Sequence, residues 1–245
     1  MIKAVLFDMD DTLLRLNLTA FVARYVAGAS SLLAQAARTT PLSIGGAYVR
    51  GFLAIDAQDR EDSLTNEQLF NQTFLAETGI PLDDPVIADL MSYYERTIVP
   101  GYGGGIVAAR PVEGAREAIE AVHDADLICA LATNPTFSLD CDRARMGWAG
   151  VSEDDFSLVS TISNSTRSKP SARYYQEFAN TLGVRLEECL MVGNDSSRDF
   201  ARPECGLRTA YVGHAHPKKA VWHGPMERLS RELPELLARL NEESA

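Results

Sequence analysis

The sequence predicts an α/β protein in which a parallel β-sheet carries a long helical insertion. Three observations predict this fold class. Short apolar runs recur along the chain and stop abruptly at polar residues or glycine, as buried parallel strands do. In the second half, these runs alternate with segments whose apolar residues have helical spacing. Between the first run and the next, about 85 residues show helical patterns alone.

The strands and helices of the sheet domain follow from these patterns in chain order. Residues 4–7 form the first apolar run, which stops at Asp8. Further strands are predicted at 127–132, 189–192 and 209–212, with a weaker candidate at 158–159. Helices are predicted at 112–123, 137–146, 172–182 and 197–204, and a final helix at 228–240 is expected to pack on the sheet.

The insertion shows helical faces at 20–37, 65–78 and 85–98. It ends in a glycine-rich stretch at 100–105, which is interpreted as a flexible hinge. A phosphate-binding loop is the less favoured reading of that stretch, because the G-K-[ST] ending is missing and no clear strand precedes it.

Composition excludes several classes of protein. Of the 245 residues, 46% are hydrophobic, so a core forms without disulfides, and the net charge of −11 disfavours binding to nucleic acid or to anionic membranes. The longest unbroken apolar run has six residues and the N-terminal run is too short for a signal peptide. The four cysteines form no C-x-x-C pair. A cytoplasmic protein with free, buried thiols is expected.

Polar residues follow the predicted strands at the point where each one ends. Ligands of a parallel sheet bind at this edge, so these side chains are expected to converge there. They are Asp8, Asp10, Asp11 and Thr12 after the first strand, Thr133 and Asn134 after the second, and Asn194, Asp195 and Asp199 after the third, with Lys169 just before a helix. Two other D-x-D pairs, at Asp124/Asp126 and Asp140/Asp142, follow no apolar run and are interpreted as solvated helix ends.

This set of residues suits phosphoryl transfer. The Asp8 carboxylate can attack phosphorus if a divalent cation, held with Asp195, removes the repulsion from the phosphate. Asp10 can protonate the leaving oxygen and later activate water. Lys169 supplies positive charge to the phosphoryl oxygens, and Thr133 and the Asn134 main-chain amide donate hydrogen bonds to them.

The motifs Asp8-Met9-Asp10-Asp11-Thr12, Thr133-Asn134, Lys169-Pro170 and Gly193-Asn194-Asp195 through Asp199 resemble the four ordered motifs of the haloacid dehalogenase-like hydrolase superfamily. The resemblance implies a Rossmann-like, doubly wound core at 1–14 and 105–245, with an all-helical cap at 15–104. It implies Asp8 as nucleophile, Asp10 as acid and base, and Mg²⁺ held by Asp8, the main-chain carbonyl of Asp10, and Asp195. Leu13 and Leu14 would lie in a mobile turn that couples cap opening to the site.

The fourth motif departs from the common pattern, in which the acid directly follows glycine. Here Asn194 stands in that place and is a candidate metal ligand or supporting residue. Asp199 is expected to support Lys169 or a metal-bound water, although a plain helix N-terminal acid is the alternative. Asp11 is expected at the substrate, and Thr12 in a supporting role.

The resulting expectation is a Mg²⁺-dependent phosphatase that acts on a small phosphorylated metabolite. A phosphomutase, a haloacid dehalogenase and a non-catalytic binding protein on the same fold remain open as alternatives. Arg15, Asn17, Arg24 and Arg50 are further candidates to reach the substrate from the cap. The sequence does not indicate the substrate or the oligomeric state.

Overall fold

A five-stranded, fully parallel sheet forms the centre of the computed structural model, which describes residues 1–243. Its spatial strand order is β4-β1-β5-β6-β7. The chain also forms a two-residue antiparallel ribbon from β2 and β3. The strands are β1 (Ala4–Phe7), β2 (Leu14–Arg15), β3 (Arg110–Pro111), β4 (Ile128–Leu131), β5 (Cys189–Gly193), β6 (Arg208–Val212) and β7 (Trp222–Gly224).

The central strands are buried on both faces. Alternate residues of β1 point to opposite sides, so Ala4 and Leu6 belong to one apolar cluster while Val5 and Phe7 belong to the other. Helix α7 (Ala172–Thr181) covers the first cluster. Helices α5 (Ala115–Asp124) and α8 (Met226–Glu242) pack against each other over the second. This arrangement confirms the doubly wound α/β class predicted from the sequence.

The insertion between β2 and β3 holds four α-helices. They are α1 (Leu18–Ala37), α2 (Pro41–Asp56), α3 (Asn66–Thr78) and α4 (Pro85–Tyr93), and a π-helical turn at Tyr94–Ile98 and a 3₁₀ turn at Val99–Tyr102 follow them. The glycine-rich stretch at 100–105 packs against the core through Trp148, whose indole Nε1 donates to the Pro100 carbonyl at 3.1 Å. Helix α6 (Leu139–Ala149) begins at its Ser138 cap.

Helix α2 has no counterpart in the sequence expectations because three glycines lie within it and lower its helix propensity. Thr40 caps its N-terminus and Pro41 occupies its first position, which favours helix initiation. Any Cβ at Gly51 would collide with the Phe70 ring of α3. The glycine therefore allows the close packing of α2 on α3.

The prediction of a helix at 197–204 is wrong. The structure has a single turn there, in which the Asp199 amide donates to the Asp195 carbonyl at 2.8 Å. The Asp195 side chain accepts from the Ser197 amide, which favours a turn over a continuing helix. Pro203 then disfavours helical backbone at the residue before it. Residues 158–159, the weaker strand candidate, make only an isolated bridge from Val159 to Leu131 of β4.

The four cysteines are free thiols, and three of them are buried; Cys205 is partly exposed. In the described part of the chain, no helix has the length and apolar character needed to cross a bilayer.

Candidate active site

A buried lysine joins two of the predicted acids at the carboxyl edge of the sheet. The Lys169 Nζ lies 2.8 Å from Asp8 Oδ1 and 2.7 Å from Asp199 Oδ1, and the lysine is 1% exposed. Asp8 directly follows β1, and Lys169 precedes α7. Of the three places considered for Asp199, the structure has it against Lys169.

The loop after β5 brings the fourth motif to the same point. Any Cβ at Gly193 would collide with the Asp199 carboxylate, so glycine is needed for this approach. The Asp195 amide donates to Asp199 Oδ2 at 2.8 Å. The Thr12 hydroxyl lies 3.2 Å from both Asp8 Oδ2 and Asn194 Oδ1, and so links the first motif to the fourth.

The second motif follows β4 and is also at this edge. Thr133 is buried, and its carbonyl accepts from Tyr174 and Ser160. The Asn134 Oδ1 accepts from the Lys169 amide at 3.2 Å, which fixes the third motif against the second. The structure therefore brings the four motifs together around Asp8.

Asp10 makes a contact that the sequence reasoning missed. The Arg145 Nη2 lies 2.6 Å and 2.5 Å from the two carboxylate oxygens of Asp10. On its other side, Arg145 Nη1 lies 2.5 Å from Asp142 Oδ1. Asp142 and Arg145 are one helical turn apart on α6 and are both buried.

The interpretation of Asp140 and Asp142 as a solvated helix end is therefore wrong for Asp142. A spacing of three residues places it beside Arg145 on one face of α6. The pairing is incomplete within residues 1–243, where Arg145 Nε and Asp142 Oδ2 are buried without hydrogen-bond partners. The Asp124/Asp126 pair is exposed, as expected.

A cavity of about 290 Å³ opens beside Asp10, between the core and helices α1 and α2. Its polar residues are Asp10, Arg145, Asn134, Thr136, Asp56 and Arg198. Arg198 and Asp56 form a bidentate ion pair, with N–O distances of 2.7 and 3.0 Å, that ties the fourth-motif loop to the end of α2. Neither Asp56 nor Arg198 was singled out from the sequence, because each looks like an ordinary surface charge.

Several predicted substrate contacts have other partners or surroundings in the structure. Asp11 has a positive φ of 55° and lines a second cavity together with Arg15 and His214. Asn17 caps α1 through a bond from the Ala20 amide. The guanidinium of Arg24 stacks on the Tyr102 ring, and Arg50 pairs with Glu77.

Burial and charge shift the pKa values of the site acids. Burial raises the pKa of Asp8 to about 7; Lys169 opposes this effect, and the neighbouring Asp199 and Asp10 add to it. Burial alone would lower the pKa of Lys169, but Asp199 and Asp8 raise it well above its usual value. For Asp195, the bonds from Ser197 outweigh burial and lower the pKa. The site thus carries an excess of carboxylates, with Asp195 ionised at neutral pH.

The donors around Asp8 suit a hard divalent cation. The predicted ligands are two carboxylates and one main-chain carbonyl, and Mg²⁺ prefers oxygen ligands and keeps several waters. Across residues 1–243, no group of three or more His, Cys, Asp or Glu side chains is arranged as a metal cluster. The fit therefore rests on the oxygen chemistry of the donors and on the neighbouring carboxylates of Asp199 and Asp10, whose negative charge a cation would offset.

Comparisons with known proteins agree with this architecture. A family model described as haloacid dehalogenase-like hydrolase matches residues 2–200. An N-acetylmuramic acid 6-phosphate phosphatase from Pseudomonas aeruginosa is 27% identical over 230 residues, which cover 91% of this chain and 87% of that protein.

Two solved structures show the same fold. CbbY from Rhodobacter sphaeroides, in complex with xylulose-(1,5)bisphosphate, has a TM-score of 0.59 at 18% identity, covering 94% of this chain and 96% of that one. A HAD phosphatase from Thermococcus onnurineus has a TM-score of 0.56 at 18% identity, covering 96% and 98%.

Proposed function

The chain belongs to the haloacid dehalogenase-like hydrolase family, and we propose that it is a Mg²⁺-dependent phosphatase that hydrolyses a small phosphomonoester through a covalent aspartyl-phosphate. The observation that carries the proposal is the cluster of Asp8, Lys169 and Asp199 at the sheet edge, with Asp10 beside it facing a cavity. The similarity to an N-acetylmuramic acid 6-phosphate phosphatase over most of both chains supports it.

In the first step, one oxygen of Asp8 attacks phosphorus and the bond to the leaving oxygen breaks. The Lys169 ammonium, held in place by Asp199, stabilises charge on the phosphoryl oxygens. Thr133 and the Asn134 main-chain amide, which follow β4 at the same edge, are assigned as hydrogen-bond donors to those oxygens. Asp10 delivers a proton to the leaving oxygen from the side where the cavity opens.

In the second step, Asp10 takes a proton from water, which attacks the phosphorus of the aspartyl-phosphate and frees Asp8. Splitting hydrolysis into two displacements lowers each barrier. Asp10 then carries again the proton that the next leaving group needs. The carboxylate of Asp10 can approach either reactant only if the contact of its two oxygens with Arg145 Nη2 loosens or is shared.

We assign Mg²⁺ to Asp8, the main-chain carbonyl of Asp10, and Asp195, with Asn194 as an additional oxygen donor. When bound, the cation would neutralise the repulsion between the carboxylate of Asp8 and the phosphate dianion. Residues 15–104 are assigned as a cap that closes over the site and excludes water. The Asp56–Arg198 ion pair would then hold the closed arrangement.

The test is hydrolysis of p-nitrophenyl phosphate by the purified chain. We expect phosphate release with Mg²⁺, loss of release with EDTA, and recovery when Mg²⁺ is restored. Asp8→Asn removes the nucleophile and is expected to abolish turnover. The neighbouring Asp11→Asn is the matched control and is expected to retain activity, because Asp11 lines a different cavity.

Trapping of the phosphorylated enzyme distinguishes hydrolysis through an aspartyl-phosphate from direct attack of water on the phosphomonoester. Denaturation during turnover should leave phosphate on a peptide that contains Asp8, and this label should be absent from Asp8→Asn. Turnover without label, or equal activity in Asp8→Asn, would contradict the assignment of the nucleophile. The absence of hydrolysis across a broad panel of phosphomonoesters would contradict the phosphatase proposal itself.

A further inference from the structure

Apolar atoms form most of the surface of the cavity beside Asp10, although its lining residues are evenly divided between polar and apolar. Six apolar side chains line it, from α1, α2 and the loop before α6: Leu18, Val22, Val49, Phe52, Leu53 and Phe137. At about 290 Å³ it is at the small end of the range for ligand sites. Under the proposed function, the leaving group of the substrate occupies this space, because Asp10 meets the leaving oxygen there.

The polar side chains of the wall are already bonded within the protein. Asp10 pairs with Arg145, and Asp56 pairs with Arg198. The Asn134 side chain accepts from the Lys169 amide and donates to the Thr136 hydroxyl. A leaving group rich in hydroxyls would therefore lose its hydrogen bonds to water and find few partners in exchange.

The mouth of the cavity is apolar as well. Leu53 is 67% exposed and Val49 is 53% exposed, although both are large apolar residues on the same helix. They lie four residues apart on α2 and so share one helical face, which is turned toward the opening. Exposed apolar side chains grouped at a cavity mouth are typical of a site that binds an apolar ligand.

We propose that the chain selects phosphomonoesters whose leaving group is compact and apolar, an alkyl or aryl group, in preference to sugar or polyol phosphates. The inference rests on the proposed function and narrows its substrate class. The proposed class differs from the substrate in the name of the similar N-acetylmuramic acid 6-phosphate phosphatase, and it is inferred from the hydrocarbon that forms most of this cavity's wall.

The experiment compares kcat/KM along a series of n-alkyl phosphates from ethyl to hexyl, whose leaving groups have nearly equal basicity. Burial of each methylene is expected to raise kcat/KM by about two- to fourfold until the cavity is filled. Glycerol 3-phosphate is the matched polar probe for n-propyl phosphate, with the same number of carbons. We expect it to be at least about fivefold poorer, because its hydroxyls are buried without partners.

Leu53→Ser tests whether this wall produces the selectivity. The residue is largely exposed, so the fold should tolerate the change, and the rise of kcat/KM with chain length is expected to flatten. Leu42→Ser is the matched control, since Leu42 is on the same helix, is 87% exposed and does not line the cavity. It should keep the wild-type dependence on chain length.

A flat or falling dependence in the wild type, or a preference for glycerol 3-phosphate, would overturn the inference while leaving the phosphatase proposal intact. An equal loss of the dependence in Leu53→Ser and Leu42→Ser would also overturn it. No hydrolysis of any ester, p-nitrophenyl phosphate included, would instead refute the phosphatase proposal on which the inference rests.

Discussion

Replacing Arg145 by methionine tests the buried charge pair behind Asp10. Asp142 is fully buried, and in this variant it loses the guanidinium that compensates its charge. Removing one partner of a buried ion pair costs about 3–5 kcal/mol of unfolding free energy. At about 2–4 °C per kcal/mol for a chain of this size, the Tm at pH 8.5, where Asp142 is ionised in the wild type, should fall by about 6–20 °C.

The pH dependence of this loss has a definite sign. Burial raises the pKa of Asp142 to about 7 even with Arg145 present, so the folded state holds a proton that the unfolded state releases. Burial of Asp142 therefore destabilises the fold as pH rises from about 4 to 7. Without Arg145 the pKa rises further, and the difference between wild type and variant should grow as pH increases above 7.

Urea unfolding at pH 6 and pH 8.5 measures both effects. Arg143→Met is the control, because Arg143 lies on the same helix but forms exposed ion pairs with Asp140 and Glu153, which contribute about 1 kcal/mol or less. Adding Asp142→Asn to Arg145→Met should recover part of the lost stability at pH 8.5. A loss below about 1 kcal/mol in Arg145→Met at pH 8.5, or no recovery in the double variant at that pH, would refute the reasoning.

Three further outcomes are expected. Because burial raises the pKa of Asp8 to about 7 and only its ionised form attacks, kcat/KM should fall below about pH 7 at limiting Mg²⁺, and this acid limb should move to lower pH as Mg²⁺ increases. Gly114→Ala should lower the free energy of unfolding by about 1–3 kcal/mol in thermal unfolding, because φ at Gly114 is +83° and a Cβ there would collide with the main chain of α8. Gly104→Ala is the control and should have little effect, because a Cβ there meets no atom within 4 Å. Asp56→Asn should raise the rate of proteolysis within residues 15–104, because the Arg198 ion pair is weakened, and an unchanged rate would argue against its role in closure.

The sequence predicted the sheet well where a strand is a short apolar run that ends at a polar residue, as at β1 and β5. The pattern fails where the residues that form a strand are not uniformly apolar. Trp222-His223-Gly224 forms the edge strand β7 only because β6 is beside it to pair with. Helix α2 was not predicted because its glycines lower its helix propensity. The close packing of Gly51 on Phe70 of α3 outweighs that low propensity in the folded chain.

The residues of the candidate site also fall into those that the sequence predicted and those that it did not. Asp8 and Asp195 were predicted because they follow strands, and Lys169 because it stands just before a helix, and the topology of a parallel sheet brings these positions to one edge. Arg145 was missed because nothing in a sequence distinguishes a buried arginine from a solvated one. Its spacing of three residues from Asp142 was the available signal, but that spacing is common on exposed helices.

The ribbon formed by β2 and β3 affects how the length and sequence of the insertion can vary in evolution. Arg15 and Arg110 are directly opposite each other, so the insertion begins and ends at adjacent points of the chain's fold. Everything between them can lengthen, shorten or be exchanged without altering the order of the strands or the position of Asp8. Under the proposed function, the residues of the insertion that line the cavity can change, and with them the preferred leaving group, while the strand that positions Asp8 stays the same.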